Sequence, residues 1–176
     1  HRPPLELLPP DLLAVAFDKS GPTFRNKDYE AYKGTRDKTP PELSTQFGML
    51  KDILDSLNVV HLDSHDFEAD DILGTLSKMA GEEGIETYLL TGDRDYFQLV
   101  DDHAKVLYTK KGITELEIYD KDKIRERYDL QPKDLIEVKG LMGDTSDNIP
   151  GVPGVGEKTA IKLVKEYGNI EGIYEN

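Results

Sequence analysis

The chain contains no cysteine among its 176 residues. Disulfides, zinc–thiolate sites and cysteine nucleophiles are therefore excluded. Histidine is scarce, at four. No apolar run is long enough to span a bilayer, and no signal peptide opens the chain. The expectation is a soluble intracellular protein with no membrane partner. Basic residues are also short, 22 against 35 acids, a net charge of −13. That balance argues at first against a nucleic-acid partner, because phosphate binding needs a basic surface. Apolar residues are not lacking, at 37% against 32% charged. That supports a packed core and excludes simple disorder. The length suits one domain, or one with a small appendage.

His1 to Asp11 hold four prolines and read as loop. Leu12 to Phe17 form a continuous apolar run, as expected of a strand buried on both faces of a parallel sheet. Leu43, Phe47, Leu50, Leu54 and Leu57 recur at helical spacing after Pro40-Pro41. Val59 to Leu62 read as a second strand. Ile72, Leu73, Leu76 and Met79 mark a second helix, closed by Gly81 and Gly84. Glu86 to Leu90 read as a third strand, followed by Thr91-Gly92-Asp93-Arg94-Asp95. This alternation predicts an α/β domain with a mainly parallel sheet flanked by helices. Val106 to Tyr108 and Thr114 to Ile118 flank Lys110-Lys111-Gly112, a hairpin signature. Helices are expected near 120–128, 132–142 and 156–167, with a domain boundary near residue 130.

Ligands of open α/β sheets lie beyond the carboxyl ends of the strands. Asp18 ends the first apolar run, Asp93 and Asp95 follow the third, and Glu68, Asp70 and Asp71 open the second helix. Asp144 and Asp147 add two more acids in a glycine-rich stretch. Each group has a plain structural reading, as helix caps or turn formers. Convergence favours a functional one. Carboxylates crowded at one edge repel, and divalent cations relieve that repulsion. An all-oxygen ligand set points to Mg²⁺ or Mn²⁺ rather than zinc. Paired metals suit phosphodiester hydrolysis.

Residues 19–38 carry six cations against Asp28, Glu30 and Asp37, a net of +3. On a helix Arg25, Tyr29, Tyr32, Lys33 and Arg36 share one face. Cations and tyrosines together can pair phosphates and stack on bases. Farther on, Gly151, Gly154 and Gly156 precede Lys158, Thr159 and Lys162, with Lys165 one turn later. Glycines allow close backbone approach, and the following helix start offers free amides to phosphate. This looks like a helix-hairpin-helix element gripping a duplex backbone without reading sequence.

Five motifs together resemble the 5′-nuclease domain of bacterial DNA polymerase I, a branch of the flap endonuclease family. They are Ala16-Phe17-Asp18 with Thr23-Phe24-Arg25, Tyr32-Lys33-Gly34-Thr35-Arg36, Phe67-Glu68-Ala69-Asp70-Asp71, Thr91-Gly92-Asp93-Arg94-Asp95, and Gly140 to Ala160. The resemblance spans about residues 12–174. It implies a PIN-like nuclease core over 1–130, with a basic helical arch at about 24–41, and a helix-hairpin-helix module over 131–176. It implies one metal cluster on Asp18, Glu68, Asp70 and Asp71, and a second on Asp93, Asp95, Asp144 and Asp147. Lys33 and Arg36 would contact the scissile phosphate. A potassium ion would sit on loop carbonyls of the hairpin. The partner would be DNA with a 5′ flap, nick or 5′ end, met by a monomer in the bacterial nucleoid, with a polymerase domain on the same chain. The family pattern opens with a strand bearing another metal-binding aspartate, which His1 to Asp11 do not match. The expectation is a chain truncated at both ends relative to the family. The competing class is a structure-specific DNA-binding module with an incomplete, inactive metal site. Setting aside the eight metal-site acids leaves 22 bases against 27 acids, a net of −5. The acid excess is thus partly the proposed cutting apparatus.

Overall fold

The computed structural model describes residues 10–37, 39–111 and 115–176. β1 (Ala14–Phe17) leads to a short helix α1 (Phe24–Asp28), then α2 (Pro41–Ser56) and β2 (Val60–Asp63). α3 (Ala69–Glu82) and β3 (Thr87–Thr91) follow, then a 3-10 turn over Arg94–Leu99. β4 (Ala104–Lys111) and β5 (Glu115–Tyr119) precede α4 (Lys121–Tyr128) and α5 (Asp134–Met142). A two-residue pair, β6 (Gly143–Asp144) and β7 (Ile149–Pro150), leads into α6 (Glu157–Tyr167) and α7 (Ile170–Tyr174).

The parallel α/β character expected from the sequence is present, but the pairing is divided. β1 runs parallel to β2, with Ala14 opposite Val60 and Phe17 opposite Asp63. β3 runs parallel to β4, and β5 returns antiparallel on β4's far side. The expected hairpin is this β4–β5 pair. Its turn residues, from Gly112 to Thr114, lie outside the described residues.

Two apolar clusters hold the chain. Leu89, Tyr96, Phe97, Val100, Val106, Tyr119 and Ile124 form the first, with Phe97 and Tyr119 stacked at 4.2 Å between ring centroids. Leu130, Val138, Leu141, Ala160 and Val164 form the second, between α5 and α6. Burying these aromatic and branched side chains supplies the main favourable term.

The first third departs from the sequence reading in its packing and in its basic segment. The apolar run is not buried on both faces, since Leu12 and Leu13 are exposed ahead of β1 and within β1 only Phe17 is buried. Among the described residues only β2 pairs with β1. α2 has the expected helical spacing, but of its apolar residues only Leu54 is buried. A hydrophobic stripe fixes where a helix can pack, and α2 meets only part of a partner surface here. The basic segment is also not one helix. α1 ends at Asp28, residues 30–35 form turns, and Lys33 has φ +54°. Arg25 and Arg36 therefore do not share a helical face.

Candidate active site

The strand ends and the starts of the following elements bring the acids to one region. Asp18 follows β1, and its Oδ1 accepts the Ala69 N–H at 2.8 Å, which ties β1 to the start of α3. Glu68 is the N-cap of α3, and its own N–H donates to Asp71 Oδ2 at 2.9 Å. Asp93 caps the 3-10 turn by accepting the Asp95 N–H at 2.9 Å. Asp144 Oδ1 accepts from the N–H and hydroxyl of Ser146 and from the Asp147 N–H, closing the loop after α5. The structural roles weighed for these acids are thus real, and they fix where the carboxylates stand.

Protein cations sit among these acids. Arg25 clamps Asp71 bidentately at 2.6 and 2.7 Å. That bond, first, raises the Arg25 pKa above its ordinary value and holds Asp71 below its own. Lys33 Nζ lies 2.8 and 2.9 Å from the two Glu68 oxygens. Arg36 pairs with Asp147. Lys139 bridges Asp95 at 2.7 Å and Asp144 at 2.9 Å. Tyr32 is buried, and its hydroxyl donates to Glu68 at 2.9 Å and reaches Asp147 at 3.1 Å. Its ring is therefore not free to stack on a base, contrary to expectation. Tyr29 remains exposed at the end of α1.

The carboxylates remain under mutual stress. Asp70 keeps an edge in solvent, yet desolvation pushes its carboxyl above the usual range. A hydrogen bond from Tyr96 opposes that, and the like charges of Asp93 and Asp18 add to it. Asp95 is likewise pushed up by burial against the pull of Lys139, with Asp93 and Asp144 adding to the rise. Burial also acts upward on Asp144, but Ser146 and Lys139 outweigh it and hold this carboxyl down at about 2. Asp93 thus acts on both neighbourhoods, Asp18–Asp70 on one side and Asp95–Asp144 on the other.

Neither expected cluster is gathered as a ready coordination shell. Among the described residues no group of three or more acids stands close enough to hold one ion. Arg25, Lys33, Arg36 and Lys139 instead occupy the carboxylates, each pairing with one or two of them. The donor chemistry still fits hard divalent cations, being all oxygen, with burial first and neighbouring like charges after it raising Asp70 and Asp95. Lys139 and Tyr96 are the residues that sequence reasoning missed. A lone lysine one turn before Gly143-Asp144, and a tyrosine beside Asp95 needing a buried hydroxyl partner, were the available signals.

A cleft of about 300 Å³ opens beside these groups, lined by Asp18, Lys33, Arg36, Phe67 and Glu68 among others. The turn segment over it is tied to the loop after α5. The Lys33 N–H donates to the Asp147 carbonyl at 2.9 Å, Asn148 Nδ2 to the Ala31 carbonyl at 2.8 Å, and Arg36 Nε to the Ser146 carbonyl at 3.1 Å. In the C-terminal part Gly154 takes φ +81°, Gly156 is the N-cap of α6, and Lys158, Thr159 and Lys162 are exposed. Gly151 has a packing reason of its own, since a Cβ there would stand 2.2 Å from the Met142 carbonyl carbon. Lys165 pairs with Asp129.

Residues 5–129 match the family model of the 5′-3′ exonuclease N-terminal resolvase-like domain, and residues 130–176 that of the 5′-3′ exonuclease C-terminal SAM fold. DNA polymerase I of Bacillus caldotenax is 48% identical over 164 residues, 93% of this chain and 19% of that protein. The chain spans about a fifth of the length of the curated relatives it matches. Bacteriophage T5 5′-exonuclease with bound zinc superposes with a TM-score of 0.81 at 26% identity, over 97% of this chain and 66% of that one. A T5 flap endonuclease in a pseudo-enzyme–product complex with DNA and metal ions gives 0.81 at 25% identity, over 98% and 66%. The PIN-like core expected from the motifs is thus the observed fold class. The chain belongs to the 5′-3′ exonuclease family, in the branch shared with bacterial DNA polymerase I.

Proposed function

We propose that this chain is the 5′-nuclease part of a DNA polymerase I. It would hydrolyse DNA phosphodiesters at junctions between a single-stranded 5′ end and duplex, as in flap and primer removal. One observation carries the reading: the negative charges of Asp18 and Asp93 both bear on Asp70, and Asp18 lines a cleft together with Lys33 and Arg36. Asp18, Glu68, Asp70 and Asp71 would hold one divalent cation, and Asp93, Asp95, Asp144 and Asp147 another, with Mg²⁺ or Mn²⁺ suited to the all-oxygen set. When bound, such ions supply an acidified water and charge neutralisation at the phosphate. Lys33 and Arg36 now pair with Glu68 and Asp147. Once those acids are neutralised otherwise, both cations are free to take non-bridging phosphate oxygens, and Tyr32 and Arg25 still hold Glu68 and Asp71 in place. The exposed Lys158, Thr159 and Lys162, with Gly154 and Gly156, would grip the duplex backbone, and a potassium ion would sit on the hairpin carbonyls. A monomer working in the nucleoid fits this substrate.

Cleavage of a 5′-flap DNA in Mg²⁺ tests the reading. The unsubstituted protein should release the flap, and Asp93→Asn should lose at least about a hundredfold in rate, since one preorganised electrostatic partner is commonly worth that much. Equal rates for the two would remove Asp93 from the site. The dispersed acids favour one second reading, a DNA-binding module without turnover. Tight flap binding with no cleavage even in excess Mn²⁺ would establish it instead.

A further inference from the structure

Two phenylalanine side chains stand in solvent, and one of them, Phe67, lines the cleft. Phe67 is 50% exposed and Phe24 is 36% exposed. Their ring centroids lie 5.7 Å apart with a tilt of 54°. Neither belongs to the two core clusters. Each alone would be unremarked, because single exposed apolar side chains are normal. Their support and position are what matter.

The pair is held from behind. The Arg25 guanidinium lies 4.6 Å from the Phe24 ring centroid, and the same guanidinium is fixed by its two bonds to Asp71. The Phe24 N–H donates to the Asp66 carbonyl at 3.3 Å, which joins the start of α1 to the loop carrying Phe67. Arg25, Phe24 and Phe67 therefore form a braced series. Phe67 lines the same cleft as Asp18, Lys33 and Arg36 and immediately precedes Glu68. Tyr32, the aromatic group expected to stack on a base, is buried with its hydroxyl bonded to acids.

We infer that Phe67, backed by Phe24, is a stacking platform for a nucleobase of the strand whose phosphate is held by Lys33 and Arg36. The inference rests on the nuclease reading above and adds a positioning element to it. An aromatic face accepts any base, so it orients a strand without reading its sequence. Lys33 and Arg36 fix a phosphate, but a phosphate alone can rotate on its neighbours. A stacked base one nucleotide away removes that freedom and aligns the scissile bond. Purines, with the larger face, should be favoured modestly at that position.

The test places 2-aminopurine at each nucleotide flanking the scissile phosphate of a flap substrate, with Ca²⁺ replacing Mg²⁺ to slow cleavage. The protein should quench one flanking position by stacking. Phe67→Leu should abolish the quench and weaken binding about 5- to 150-fold, the range for one aromatic–base stack. Phe67→Tyr should restore both. A second measurement needs no variant: 5-iodouracil at the same position, irradiated in the complex, should cross-link to Phe67 or Phe24. A leucine variant that keeps the quench and the affinity, or a cross-link mapping elsewhere, overturns the platform. A protein that binds and cuts flaps while Phe67→Leu behaves as the parent removes only this inference. A protein that neither binds nor cuts flaps removes the nuclease reading with it.

Discussion

Lys139 stands between Asp95 and Asp144 where a cation is wanted. Burial alone would lower its pKa, but the two carboxylates outweigh that and keep it above the ordinary lysine value. Removing it leaves two neighbouring acids without a counter-charge. Lys139→Met should therefore lower stability in EDTA by about 1–2 kcal/mol, a discounted figure for a partly exposed pair. Added Mg²⁺ should raise the melting temperature more in the variant than in the parent, because no ammonium then competes for the same oxygens. Equal Mg²⁺ shifts in the two proteins would show that Lys139 and the metal do not share ligands. Asp63 supports a separate prediction. Hydrogen bonds from Lys51 at 2.6 Å and Lys19 at 2.9 Å hold its carboxyl at about 2, against an ordinary 3.8. A depressed carboxylate contributes stability that is full above its unfolded value and lost as pH falls towards the folded one. Chemical denaturation should show a loss between about pH 4 and 2 that is shallower in Asp63→Asn.

Among the elements, the crossing of the loop after α5 depends on two glycines. Gly143 takes φ +74°, and a Cβ on it would stand 2.3 Å from the Gly151 nitrogen. Backbone cannot yield to a methyl group at that distance. Gly151→Ala should cost about 2–3 kcal/mol, measured by denaturant unfolding. Gly156→Ala meets open space at an extended N-cap and should leave the fold's stability within about 1 kcal/mol. Most elements were legible in the sequence, since apolar period and Pro or Gly punctuation survive in β2, α3, β3 and α6. The acids at strand ends were legible as well, because chain order alone places Asp18 and Asp93 beyond β1 and β3. What was hidden is tertiary. The hydroxyl of the buried Tyr32 reaches Asp147 across 115 residues and Lys139 reaches Asp95 across 44, and the basic segment breaks at Asp28. The 3-10 turn after Thr91 and the final helix α7 are short, and short elements carry little periodic signal.

For the whole molecule, a net charge of −13 would oppose DNA binding if charge were uniform. The cations proposed to meet phosphate are few and local: Lys33, Arg36, Lys158 and Lys162. Four such contacts predict that log Kd for duplex-flap DNA changes with log salt by a slope of roughly 3–4, measurable by fluorescence anisotropy across a salt series. Lys158→Ala together with Lys162→Ala should reduce that slope by about 2. A slope that stays put would take α6 out of the interface. Three hydrogen bonds join residues 31–36 to residues 146–148 and so link the two proposed grips. A duplex that pulled the loop ahead of α6 would drag Lys33 and Arg36 along with it. The molecule would then measure the distance from the duplex to the cut with one piece of backbone, as a ruler does, rather than by two independent hands.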